Sequence, residues 1–159
     1  MKFLKEIIPY IIIVIVVLFI RTFIITPVQV DGDSMYPTLN NNQILILKKY
    51  DKSYERFDII VFDYNGSKLV KRIIGLPGET IAYQNNILYI NGKEFSDVEL
   101  QDITTNFSHD TIPEGHYFVM GDNRDESLDS RRIGVISADK ILGTTSFSIF
   151  PFNKFGFVD

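Results

Sequence analysis

Ile87-Leu88-Tyr89-Ile90-Asn91-Gly92-Lys93-Glu94-Phe95 reads as a β-hairpin. An apolar and aromatic run meets Asn-Gly, the pair that most readily places two successive residues at positive φ, and a second short run follows. Outward from it the pattern repeats: β-branched and aromatic runs at 43–48, 58–62, 68–75, 80–83, 117–120 and 144–150 alternate with turn residues. Strand pieces at this spacing predict a mainly β, antiparallel, partly closed sheet rather than βαβ units. One short helix is expected, with Ser137 as N-cap, Ala138 to Leu142 as body and Gly143 as stop. Residues 94–114 are polar and weakly patterned and read as an excursion from the sheet. In the run 147–157, Phe147 and Ile149 alternate with Ser146 and Ser148, which predicts a core strand rather than a lipid-dipping patch.

The N-terminus obeys different rules. Residues 7–25 are 19 positions with 16 apolar; Pro9, Arg21 and Thr22 are the exceptions. A helix of this length spans roughly 28 Å, close to a bilayer's hydrocarbon thickness. Pro9 is expected in the first turn, and Arg21 near the far end can snorkel to the interface. Lys2 and Lys5 precede the run, while Asp31 and Asp33 follow it, which places the N-terminus in the cytoplasm and the remainder outside. A cleavable export leader would need a small-x-small site, and Thr26-Pro27-Val28-Gln29-Val30 offers none. The expected division is a cytoplasmic stretch at 1–6, an anchor at 7–26, and an extracytoplasmic β domain at 27–159 with its excursion near 83–116.

Composition narrows the function. The 159 residues carry 16 basic and 20 acidic side chains, net −4, so nucleic acid is not an expected partner. Residues 1–30 hold three basic residues and one acidic, net +2; the remainder hold 13 and 19, net −6. Cysteine is absent and only His109 and His116 are present, so no thiol nucleophile, no metal and no cofactor are expected.

Three stretches concentrate chemistry. Asp31-Gly32-Asp33-Ser34-Met35-Tyr36-Pro37-Thr38-Leu39 begins just beyond the anchor and can present a serine on a tight turn; taken alone, a surface turn in which Ser34 bonds backbone is the commoner outcome. Leu69-Val70-Lys71-Arg72-Ile73-Ile74-Gly75-Leu76-Pro77-Gly78-Glu79 places Lys71 among apolar neighbours, though a solvated Lys-Arg edge is the commoner outcome for such a pair. Gly121-Asp122-Asn123-Arg124-Asp125-Glu126-Ser127-Leu128-Asp129-Ser130-Arg131 can knit itself together by Asp–Arg pairs and aim a serine inward; an acidic solvated loop is the alternative, and calcium-loop spacing is not met. A nucleophile here would be serine, with lysine or a carboxylate as base. A lysine at pKa ~10.4 is neutral about 0.04% of the time at pH 7, a deficit of roughly 4.6 kcal/mol, so burial must depress it. Ser137-Ala138-Asp139-Lys140 has an S-x-x-K spacing, but its companion elements are missing, and a helix cap explains Ser137 better.

Together these boxes resemble those of the bacterial type I signal peptidases, in the compact form typical of Gram-positive bacteria. The resemblance covers nearly the whole chain. It implies Ser34 as nucleophile, Lys71 as general base, and the Ser34 N–H as an oxyanion donor. It further implies that Ser127 orients the Lys71 amine, and that Asp122, Arg124, Asp129 and Arg131 hold the third loop against the dyad. Val28, Val30, Met35, Leu39 and Val70 would line pockets for small substrate residues. The implied partners are signal peptides of exported pre-proteins, the lipid bilayer and the secretion translocon. Two positions depart from the family's pattern: Gly32 replaces a serine oxyanion donor found in some members, and Phe57 stands where glycine is common. A catalytically silent, membrane-tethered binding module of the same fold is the alternative function, disfavoured because both Ser34 and Lys71 are present. A self-cleaving regulator would need an internal scissile segment, and none is found.

Overall fold

In the computed structural model, residues 2–50, 52–98 and 103–158 are described, side chains from residue 6 onward. Helix α1 runs Lys2–Phe19 and passes into a π-helical turn at Ile20–Ile24. The strands follow: β1 Ile25–Gln29, β2 Ile44–Lys48, β3 Ile59–Tyr64, β4 Ser67–Gly75, β5 Ile81–Gln84, β6 Ile87–Ile90, β7 Lys93–Phe95, β8 Phe107–His109 and β9 His116–Met120. Helix α2 spans Ser130–Ile133, and β10 Ile136–Ser137, β11 Ile141–Phe150 and β12 Gly156–Phe157 complete the chain.

One sheet of eight strands is ordered β1-β2-β11-β3-β4-β9-β10, with β12 on β11; a second of four is ordered β7-β6-β5-β8. All pairings are antiparallel. Three two-residue turns, Asn65-Gly66, Asn85-Asn86 and Asn91-Gly92, have both residues at positive φ, the backbone twist that antiparallel hairpins favour. The Ile87–Phe95 hairpin is therefore formed as its sequence predicts, with Ile90 opposite Lys93. The excursion builds the smaller sheet, whose Ile81, Tyr83, Leu88 and Ile90 pack with Phe118 and Met120 of β9. Residues 99–102 of that excursion lie outside the described residues, as does Asp159.

Four expectations change. The helix begins at Lys2, so Pro9 lies inside it rather than in its first turn, and the last anchor positions, Ile25 and Thr26, belong to β1. Among the described residues this is the one helix long and apolar enough to cross a membrane, over Glu6–Ile24. The expected helix after Ser137 is a single 3-10 turn at Ala138–Lys140; Ser137 makes no side-chain cap and bonds Asp139 instead. The chain then enters β11 and runs straight through Gly143, where a Cβ would strike the Lys48 carbonyl. Last, register shifts around Ser148 break the expected alternation: Ser148 is buried, Phe147 and Ile149 are only half-buried, and Phe150, Phe152, Phe155 and Phe157 are exposed. Rings pack edge-on around Phe147, with centroids 5.2 Å from Phe155 and 5.1 Å from Phe157.

Phe57 adopts the glycine-favouring conformation that its position invites, at φ 72. Its N–H donates to Ile73 O, and its carbonyl accepts from Arg72 Nη1 at 3.0 Å, so one backbone and one side-chain partner hold the turn despite the bulky side chain.

Candidate active site

Ser34 sits on the turn after β1. Met35 and Leu39, both buried, plug that turn into a cluster with Val30, Leu45 and Ile59. The third loop clasps it from the other side: Asn123 N donates to Ser34 O at 3.1 Å, and Asn123 Nδ2 to Asp33 O at 3.2 Å. The approach is so close that a Cβ on Gly121 would collide with Ser34 O and with Ser127 Oγ. Glycine is required there by space alone.

Lys71 comes from β4, opposite Ile60 of β3, and is 2% exposed. Its Nζ donates to Ser34 Oγ at 2.6 Å and to Val70 O at 2.9 Å. Burial pulls the amine from 10.5 to about 8, and the carboxylates of Asp129 and Asp122 oppose part of that fall. The solvated Lys-Arg edge is thus excluded: Arg72 is also buried, gripping Asp122 through Nε at 3.0 Å and Nη2 at 2.8 Å.

The third loop is held mostly from outside itself. Asp122 pairs with Arg72 of β4. Arg124 reaches into the small sheet, donating to Tyr83 Oη at 2.9 Å, Thr104 Oγ1 at 2.6 Å and Asp97 at 2.8 Å. Burial and the neighbouring Asp97 carboxylate push the Tyr83 phenol far above its usual range. Among the ion pairs of the described residues, Asp129–Arg131 is the one internal to the loop, at 2.8 Å, and Arg131 Nη2 also donates to Arg124 O at 2.7 Å. Asp129 is fully buried, and although burial favours its neutral form, hydrogen bonds from Arg131 and Gly121 N hold its carboxyl below the usual range. It also caps α2 through Arg131 N.

Ser127 is buried; among the described residues its Oγ makes no hydrogen bond of good geometry, but it stands near enough to the Asp129 carboxylate to help hold that group ionised. The bond from Ser127 to the Lys71 amine that the resemblance implies is not formed; that amine donates to Ser34 and Val70. Sequence reasoning missed Arg72, Tyr83, Asp97, Thr104 and Asn123. Arg72 had a signal, since an acidic loop aimed inward demands a buried cation; the excursion residues had none.

A cleft of about 310 Å³ opens over the pair, lined by Thr26 to Asp31 on one side and Lys68 to Lys71 on the other, with Met35 and Val61 as floor. Val28, Val30, Met35 and Val70 line it, but Leu39 does not: it is wholly buried beneath, in the core cluster. Both walls present open backbone edges. β1 ends its sheet, and β9 pairs with β4 only from Arg72 onward, which leaves residues 67–71 unpaired on that side among the described residues.

A serine hydrogen-bonded to a desolvated lysine, in a cleft with two free strand edges, on an antiparallel β domain behind an apolar helix, defines a serine peptidase. Comparison with known proteins agrees. The family described as "Signal peptidase, peptidase S26" matches residues 3–150. Signal peptidase I S of Bacillus subtilis (strain 168) is 43% identical over 157 residues, 89% of this chain and 85% of that protein. A signal peptidase I of Bacillus caldolyticus is 40% identical over 94% of this chain and 92% of its own length. A crystal structure of a signal peptidase I from Enterococcus faecalis V583 superposes with a TM-score of 0.53 at 39% identity, covering 58% of this chain and 96% of that one. The chain belongs to the signal peptidase family, peptidase S26.

Proposed function

We propose that Ser34 and Lys71 form the catalytic dyad of a membrane-anchored enzyme that removes signal peptides from exported pre-proteins after a small-x-small motif. The observation that carries this reading is the 2.6 Å contact between Lys71 Nζ and Ser34 Oγ at the cleft floor. With the amine at about 8, roughly a tenth of the enzyme holds it neutral at pH 7. Neutral Lys71 takes the Ser34 proton while Oγ bonds the scissile carbonyl carbon, and the Ser34 N–H stabilises the oxyanion. The ammonium then gives its proton to the departing amine, leaving an acyl-enzyme. Water, deprotonated by Lys71, hydrolyses that ester and frees Ser34.

The substrate enters as an extended strand against the open edges of β1 and β4, where backbone hydrogen bonds supply affinity whatever its side chains. Val28, Val30, Met35 and Val70 supply apolar walls against which the small side chains of the motif would pack. Residues 1–6 face the cytoplasm, the helix spans the lipid bilayer, and the β domain lies outside, beside the translocon, where substrates emerge.

An acylating inhibitor of β-lactam or lipopeptide type, followed by intact mass, tests the nucleophile. The adduct is expected on Ser34 of the wild type and absent from Ser34→Ala. Turnover surviving in Ser34→Ala would overturn the assignment; no adduct together with no peptide cleavage would favour the silent binding module. Ser127→Ala removes a buried hydroxyl near the Asp129 carboxylate, which Arg131 and Gly121 N already bond, so thermal stability is expected to change little. If Ser127 swings to the Lys71 amine during turnover, kcat should fall by about tenfold with KM little changed. Wild-type kcat would remove its orienting role.

A further inference from the structure

The end of the anchor shows a contact that the chemistry above does not use. A helix terminus leaves its last carbonyls without partners, and at a membrane boundary these must be met by something. Here one residue of the β domain meets three of them. Lys49 Nζ donates to Arg21 O and to Thr22 O, each at 3.2 Å, and Lys49 N donates to Ile24 O at 2.9 Å. Thr26 Oγ1 adds a bond to Arg21 O at 2.7 Å, and Ile25 N reaches back to Ile20 O to close the π turn. The ammonium also stands at the negative end of the helix dipole.

No linker separates anchor from cleft. The π turn ends at Ile24 and β1 begins at Ile25, paired in register with Lys48, the neighbour of Lys49. β1 is itself a wall of the cleft, and Ser34 follows nine residues from its start, a path of at most ~30 Å. Anchor, cleft wall and nucleophile are thus joined as one piece, with Lys49 as the pin.

Resting on the signal-peptidase reading above, we infer that Lys49 is a positioning residue that fixes the height of Ser34 over the bilayer. It thereby sets the spacing a substrate must have between its apolar segment and its scissile bond. The substrate is held in the same bilayer by its own apolar segment, so a cleft at fixed height admits one spacing best. A flexibly tethered cleft would sample a range of heights and accept several spacings.

The test uses the full chain in vesicles of phosphatidylcholine with phosphatidylglycerol. Pre-proteins are lengthened one residue at a time between apolar run and cleavage site, and a soluble Ala-x-Ala peptide is the control. Wild type is expected to show one optimum spacing. Lys49→Ala should broaden it, lowering the rate ratio between the matched substrate and one three residues longer by roughly three- to tenfold, while the soluble peptide is cleaved at the wild-type rate. Lys49→Arg, which keeps a cation at the helix end, should restore the narrow optimum. An unchanged ratio in Lys49→Ala overturns the inference. So does an equal loss on the soluble peptide, which would put Lys49 in service of the cleft itself. A ratio that follows phosphatidylglycerol content would assign the lysine to lipid headgroups and overturn it too. If wild type fails on the soluble peptide, the dyad reading falls, and this inference with it.

Discussion

Lys71→Met is expected to abolish peptide cleavage, by about a thousandfold or more in kcat, while the protein remains folded and becomes more stable at pH 7. Methionine fills the same buried volume without an amine to desolvate. The sign follows from linkage. With the folded amine at about 8 against 10.5 when solvated, the folded state binds fewer protons between those values, so wild-type stability rises as pH climbs through that window. Below it the whole penalty is present, about 3 kcal/mol, and Lys71→Met removes it. Urea midpoints at pH 7 and pH 10 should therefore differ in wild type by more than in the variant. The same ionisation governs wild-type kcat/KM, which should climb close to tenfold per pH unit below about 8 and level above it. A profile flat from pH 6 to 9, or turnover in Lys71→Met, would remove Lys71 from the base role.

Asp122→Ala should cost most in stability. It strands Arg72, 3% exposed, without the carboxylate that takes bonds from both its Nε and Nη2. Breaking a buried pair from one side costs about 3–5 kcal/mol, so Tm should drop by about 10–15 °C in a domain of this size. A second effect is separable. Asp122 helps hold the Lys71 ammonium, so in whatever fraction folds the amine falls further and the rising limb of kcat/KM moves to lower pH. Adding Arg72→Met should recover most of the lost Tm, because the uncompensated charge goes with it. No recovery in the double variant would mean that Asp122 acts through something other than Arg72.

Parts of this architecture were readable and parts were not, for physical reasons. The Asn-Gly hairpins and most strands follow from rules acting over a few neighbours: alternation of faces and two-residue turns at positive φ. The strand at Phe107–His109 has no such signature and forms because β5 offers it an edge. The helix expected after Ser137 fails because Gly143, a stop signal in a helix, is there to let β11 lie against the Lys48 carbonyl. Ser148 is buried against its polarity because register shifts rotate β11 by one position. Within the site, the three boxes point to Ser34 and Lys71, but Leu39 reads as pocket and proves to be core. Asp97, Thr104 and Tyr83, which hold Arg124, carry no mark in the chain order.

By itself, then, the sequence determined the apolar helix, the antiparallel β class, the hairpin turns and the inventory of groups able to do chemistry, because each depends on residues a few positions apart. Tertiary structure alone decided that a lysine 37 residues from the serine would sit 2.6 Å from it, stripped of water and facing two buried carboxylates. Desolvation is a property of the whole packed surround, and only the closed sheet supplies one.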